Sequence, residues 1–115
     1  MAESSERPWG RYEVLGEAPR YKVKSITVDL GQRLSYQRHA HRAEHWFVVM
    51  GSGVVTLEGA DRAVGPGEAV DVPVRGLHRI ANTGSGPLVF VEVQHGDSFA
   101  EDDIERIDDD YDRSG

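Results

Sequence analysis

The chain has 115 residues, no cysteine and a formal net charge of −7. That length suits one domain with one core, and the missing cysteine excludes disulfides and thiolate chemistry, leaving nitrogen and oxygen donors for any metal. Six of the seven net negative charges fall in residues 101–115, which hold eight acids and two bases, so the remaining body is nearly neutral and carries no basic stripe for nucleic acid.

In chain order, residues 1–8 read as a flexible arm ending at Pro8. The start is polar and has no apolar signal core, and no run is long and apolar enough to span a bilayer, so a cytoplasmic location without membrane contact is expected. Residues 23–29 alternate with period two, residues 34–41 give a second extended piece, and residues 45–50 are rich in Val, Phe and Trp. Gly51-Ser52-Gly53 turns the chain into residues 54–58, and Gly65-Pro66-Gly67 breaks it again. Residues 69–73, 77–82 and 87–94 supply three further strands. Strands about every ten residues predict an all-β sandwich or barrel. Ser98-Phe99-Ala100-Glu101 fits a capping box, which predicts a short helix through about Arg106 followed by an acidic tail with a solvated face.

Three of the five histidines lie within seven residues, at His39, His41 and His45. Positions i and i+2 of a strand share a face, which pairs His39 with His41 as two donors for one metal. Glu44 heads the face continued by Trp46, Val48 and Met50. An acid at the head of an apolar face needs a partner, and a metal would be one. His45 has the opposite parity, which would turn it outward.

Two spaced motifs resemble the cupin superfamily. The first runs Gly31, Gln37, His39-X-His41, Glu44, Gly51; the second runs Gly67, Pro73, His78, Asn82. The resemblance implies an all-β double-stranded β-helix, a jelly-roll barrel, with His39, His41, Glu44 and His78 around one divalent metal ion. Zn is the first choice for that donor set, and Mn, Co, Fe or Ni also suit it. Further segments resemble, in order, the type II mannose-6-phosphate isomerase domain: Arg7-Pro8-Trp9-Gly10-Arg11-Tyr12, Tyr21-Lys22-Val23-Lys24, Leu34-Ser35-Tyr36-Gln37, His41-Arg42-Ala43-Glu44-His45-Trp46, Glu92-Val93-Gln94 and Glu101-Asp102-Asp103-Ile104. In that family the domain is often the C-terminal part of a bifunctional enzyme with a mannose-1-phosphate guanylyltransferase. The chain departs from the pattern at Tyr36, at Pro73-Val74-Arg75-Gly76 and at Tyr111-Asp112-Arg113.

The resemblance implies interconversion of mannose 6-phosphate and fructose 6-phosphate, which needs a metal on the sugar oxygens, a base moving a proton through an enediol, and cations for the phosphate. Candidates for the base are His45, Lys24 and Glu44. Candidates for substrate binding are Lys22, Arg42, Arg79 and Arg106 toward phosphate, and Gln37, Glu92 and Gln94 toward sugar hydroxyls or ligand orientation. The expected partner is a small phosphorylated sugar, and a homodimer is expected from family and size. Another cupin enzyme, such as an oxygenase or nucleotide-sugar epimerase, and a non-catalytic sugar-binding cupin are the alternatives.

Overall fold

Strand β5 (Arg42–Met50) shows why this sequence makes a barrel. Its residues alternate between buried and more exposed from Arg42 through Val48, sending Arg42, Glu44, Trp46 and Val48 inward. Such alternation is what a sheet with one covered face requires. In the computed structural model, which describes residues 3–113, every extended segment finds an antiparallel partner of this kind.

The other strands are β1 (Glu3–Arg7), β2 (Gly10–Ala18), β3 (Tyr21–Val28), β4 (Tyr36–Arg38), β6 (Gly53–Leu57), β7 (Ala60–Val64), β8 (Ala69–Val72), β9 (His78–Asn82), β10 (Leu88–Gly96) and β11 (Glu105–Asp108). They form a six-stranded sheet, β1-β2-β3-β10-β5-β8, and a five-stranded sheet, β11-β4-β9-β6-β7. The inner faces share one apolar cluster that includes Val28, Trp46, Val48, Val55, Ile80, Leu88 and Phe90. The turn from β5 to β6 depends on Gly51, whose φ is +86° and whose site would put a Cβ 2.4 Å from the Pro87 carbonyl oxygen. This two-sheet, all-β architecture agrees with the double-stranded β-helix expected from the motifs.

Both ends of the chain depart from expectation. Met1 and Ala2, the first residues of the expected arm, lie outside the described residues. Glu3–Arg7 is not loose: it pairs with β2 from Glu3↔Val14 to Arg7↔Gly10 and so forms the sheet edge. The expected helix after Ser98 is absent. Ser98 Oγ instead accepts a bond from the Ala100 amide, a single turn closes between Ala100 and Asp103, and the chain becomes extended as β11. Glu101, which a capping box would turn back toward residue 98, is drawn across the barrel to Lys24.

The tail acids are mostly exposed, as expected of a solvated face, but several are paired. Asp108 pairs with Arg79 at 3.0 Å, Asp110 holds Arg33 through two 2.8 Å bonds, Glu105 meets Arg38 and Asp109 meets Arg113. Each exposed pair contributes little alone; Glu105–Arg38 joins β11 to β4 and Asp108–Arg79 joins it to β9. Hydrogen bonds from Arg113, opposed by partial burial, hold the Asp109 carboxyl down at about 2.

Candidate metal centre

Glu44 occupies the inward face of β5 and is 2% exposed. His78 opens β9 and is 1% exposed; His39, one residue beyond β4, is 3% exposed. They come from two separate stretches of chain, residues 39–44 and His78, yet one donor atom of each lies within 4.8 Å of the others. Glu44 Oε2 is 3.3 Å from His39 Nε2, and Glu44 Oε1 is 3.5 Å from His78 Nε2.

The other ring nitrogens fix the protonation. His39 Nδ1 lies 2.7 Å from the Asp103 carbonyl oxygen and His78 Nδ1 lies 2.8 Å from that of Gly76. A carbonyl only accepts, so each Nδ1 carries the hydrogen and each Nε2 of a neutral ring presents a lone pair. The rings are kept neutral: burial, then the charge of Arg42, pulls His39 down to about 4, and burial lowers His78. Two imidazole lone pairs therefore turn toward one carboxylate: Arg42 Nη2 approaches His39 Nε2 at 3.4 Å, while His78 Nε2 has no hydrogen-bond partner. Buried polar atoms are not normally left this way. A divalent cation resolves the conflict, since two imidazole nitrogens and a carboxylate oxygen are its ordinary donors. The donor set fits a metal, and the carbonyls of Asp103 and Gly76 are the outer partners that aim it.

Two residues steady Glu44 from the side. Arg42 Nε donates to Oε2 at 3.1 Å, and Trp46 Nε1 donates at 3.1 Å both to Oε1 and to Glu92 Oε2. Glu92 also accepts from Gln94 Nε2 at 2.6 Å. Burial, then the nearby Glu44 charge, pushes the Glu92 carboxyl up to about 8.

Two members of the group, His39 and Glu44, line a cavity of about 120 Å³. Of the residues singled out from the sequence, Lys24, Gln37, His39, Arg42, Glu44, Glu92, Gln94 and Arg106 line it. Gln37 stands directly across from His78 between β4 and β9, and accepts from Ser35 Oγ at 2.7 Å. Burial lowers the Arg106 guanidinium from its ordinary value, with Arg113 adding to the effect.

Four expected residues are placed elsewhere. His41 is not beside His39: its side chain is 57% exposed and lies 3.6 Å from Asp97. The face rule fails because the chain bends between β4 and β5, where the Asp103 carboxylate accepts both the Ala40 and His41 amides at 2.9 Å. His45 faces outward from β5, with Nδ1 2.6 Å from Asp71 on β8, so it does not reach the cavity as a base. Arg79 turns from the cavity to the Leu34 carbonyl and to Asp108, where it anchors β11. Lys22 is buried on β3 opposite Gln94 but lies outside the cavity lining.

Arg7, Tyr12, Glu101 and Arg113 line the cavity without having been singled out. Arg7 and Tyr12 belong to the N-terminal strands, and Glu101 and Arg113 to the segment after β10. No spacing rule joins residues so far apart in sequence. For Arg7, Tyr12 and Glu101 the one available signal was their place among the segments resembling the isomerase domain, whereas Arg113 lies in a stretch that departs from that pattern.

A family model described as mannose-6-phosphate isomerase C-terminal matches residues 1–109. The chain is 45% identical over 108 residues to the alginate biosynthesis protein AlgA of Pseudomonas aeruginosa, covering 94% of this chain and 22% of that protein. It is 44% identical over 107 residues to a mannose-1-phosphate guanylyltransferase of Escherichia coli K12, covering 93% and 22% respectively. The chain thus spans about a fifth of the length of these curated relatives. Among solved structures, an uncharacterized conserved protein with a double-stranded β-helix domain from Klebsiella pneumoniae superposes with a TM-score of 0.72 at 20% identity, over 81% of this chain and 79% of that one. The likeness to that structure shows the double-stranded β-helix fold, and the match over residues 1–109 shows that the chain belongs to the mannose-6-phosphate isomerase C-terminal family.

Proposed function

We propose that this chain is a metal-dependent aldose–ketose isomerase acting on a phosphorylated hexose, of the mannose 6-phosphate to fructose 6-phosphate type. The observation that carries the reading is the pair of imidazoles, His39 and His78, converging on Glu44, with His39 and Glu44 on the cavity wall. Family membership supports it, as does the naming of the Escherichia coli relative for a mannose 1-phosphate reaction.

His39, Glu44 and His78 would hold the cation, with Zn the first choice for two nitrogens and an oxygen. Gln37, across from His78 and on the cavity wall, would orient the sugar beside the metal group. The bound ion supplies Lewis-acid polarisation of the sugar oxygens on carbons 1 and 2. Glu92 is the proton carrier: it lines the cavity, and Trp46 and Gln94 hold both its oxygens in fixed positions. Glu44 serves as ligand rather than base, because both its oxygens face imidazole nitrogens. Gln94 and Arg42 orient the sugar from the cavity wall. The phosphorylated substrate belongs to the cytoplasm, and no helix of the described residues is long and apolar enough to cross a membrane. The outer face of β5 exposes Phe47 and Val49, which a second copy of the chain would cover as a homodimer.

The test is turnover of mannose 6-phosphate after stripping the protein and reloading it separately with Zn, Mn, Co, Fe or Ni. Fructose 6-phosphate is expected with at least one metal and none after chelation. No product under any metal removes the activity and leaves the fold and metal centre standing. Light scattering at twice the monomer mass is the expected outcome for the dimer, and a monomeric mass contradicts it.

A further inference from the structure

The turn that replaces the expected helix carries a carboxylate to a place where the barrel has gathered donors. Lys24 projects inward from β3, and its side chain is only 5% exposed. Its ammonium lies 4.1 Å from the centroid of the Tyr12 ring, and the Arg7 guanidinium lies 5.0 Å from the same ring. Arg7 also donates to Tyr12 Oη at 3.3 Å and to Ser5 Oγ, so its position is fixed in advance.

All three side chains meet Glu101. Lys24 Nζ donates to Oε2 at 3.0 Å, Tyr12 Oη donates to Oε1 at 3.4 Å, and Arg7 Nη2 stands 3.7 Å from Oε1. A nearly buried ammonium requires an anion. Glu101 is an unusual choice for one, since its own side chain is 49% exposed and it sits at a turn. It can rotate into water without moving the backbone that holds His39 and the Ala40–His41 bend, which hangs on Asp103. Partial burial raises the Glu101 carboxyl, yet the Lys24 charge and hydrogen bond outweigh it, helped by Arg42 and Lys22, and the net shift is downward. The surroundings thus favour negative charge at this point.

We propose that Arg7, Tyr12 and Lys24 form the subsite for the phosphate group of the ligand, and that Glu101 fills it as a stand-in until phosphate displaces it. The proposal rests on the sugar-phosphate reading above. A phosphate monoester offers three terminal oxygens to an ammonium, a guanidinium and a phenol, all charge-assisted. The subsite shares one cavity with His39 and Glu44, so a ligand anchored here presents its other end to the metal group. Glu101 then acts as a gate. It keeps Lys24 paired when the site is free, and its carboxylate competes with weakly held anions.

The experiment is calorimetric titration of inorganic phosphate into the Zn-loaded full chain, comparing wild type with Glu101→Gln and Glu101→Ala. Removing the competing charge is expected to tighten phosphate binding about tenfold, or about 1.4 kcal/mol. In a Lys24→Met background the same Glu101→Gln change is expected to alter affinity by less than about twofold, because the two residues are coupled only through the subsite. Melting temperatures confirm that the variants compared are folded. Phosphate affinity that is unchanged or weaker in both Glu101 variants overturns the proposal, even in an active isomerase. A tenfold gain supports it even where no sugar is turned over, so the subsite and the isomerase reading fail separately.

Discussion

Strand β5 and the bend just before it contain the same kind of residues and obey different rules. Along β5 the period-two rule holds without exception from Arg42 to Val48, and it delivers Glu44 to the metal group. Three residues earlier the same rule pairs His39 with His41 and is wrong, because residues 39–41 are not strand. There the Asp103 carboxylate and carbonyl grip the bend from one side, and the Gly96 backbone lies against the His41 carbonyl from the other. Face assignments hold where a ladder continues and lapse where tertiary contacts bend the chain.

The largest effects should come from breaking the β5 side of that contrast. Glu44→Gln and His78→Ala should each weaken Zn binding by more than about 100-fold, beyond the 10- to 100-fold typical of outer-shell losses, with turnover falling to background. A competitive chelator titration measures this. Asp103→Ala attacks the bend and should cost about 10- to 100-fold in Zn affinity, since the bend that carries His39 loses its two amide anchors. Wild-type affinity in Asp103→Ala would mean that the bend is set by something else.

Gly96→Ala sharpens the same point from the opposite side. A Cβ there would sit 2.2 Å from the His41 carbonyl oxygen, so about 1–3 kcal/mol of destabilisation is expected by thermal or denaturant unfolding. Acid should act on the metal-free protein next. The folded His39 is depressed to about 4, so between the ordinary histidine value near 6.5 and 4 the unfolded chain binds the extra proton. That contribution to stability is complete above pH about 6.5 and is lost as pH falls toward 4, which a series of denaturant midpoints can follow. The smallest effect belongs to His41→Ala: loss of its exposed pairing with Asp97 should change stability by less than about 1 kcal/mol and leave Zn affinity nearly intact. A His41→Ala protein that loses Zn would restore the strand reading of residues 39–41.

The barrel was legible because its strands follow alternation and its turns carry glycine, as at Gly51. Glu44 was legible from its place on the β5 face and the outward parity of His45 from the same rule, while His78 came only from the resemblance to the second cupin motif. What escaped was set by contacts remote in sequence. Ser98-Phe99-Ala100-Glu101 has the local chemistry of a helix start, but the pull of Lys24 on Glu101 and of the Ala40 and His41 amides on Asp103 outweighs it. The pairing of the exposed tail acids escaped because Arg33, Arg38 and Arg79 lie far from them in sequence. Arg7 and Tyr12 come to the cavity through pairing of β1 with β2 and of β2 with β3, which no local pattern announces.

Anomalous X-ray diffraction from crystals of the Zn-loaded protein tests the central claim most directly. The account predicts one peak at about 2.0–2.2 Å from His39 Nε2, His78 Nε2 and a Glu44 oxygen, with the His41 ring turned away toward Asp97. A peak bonded to His41, or one that leaves His78 without a metal contact, would contradict it.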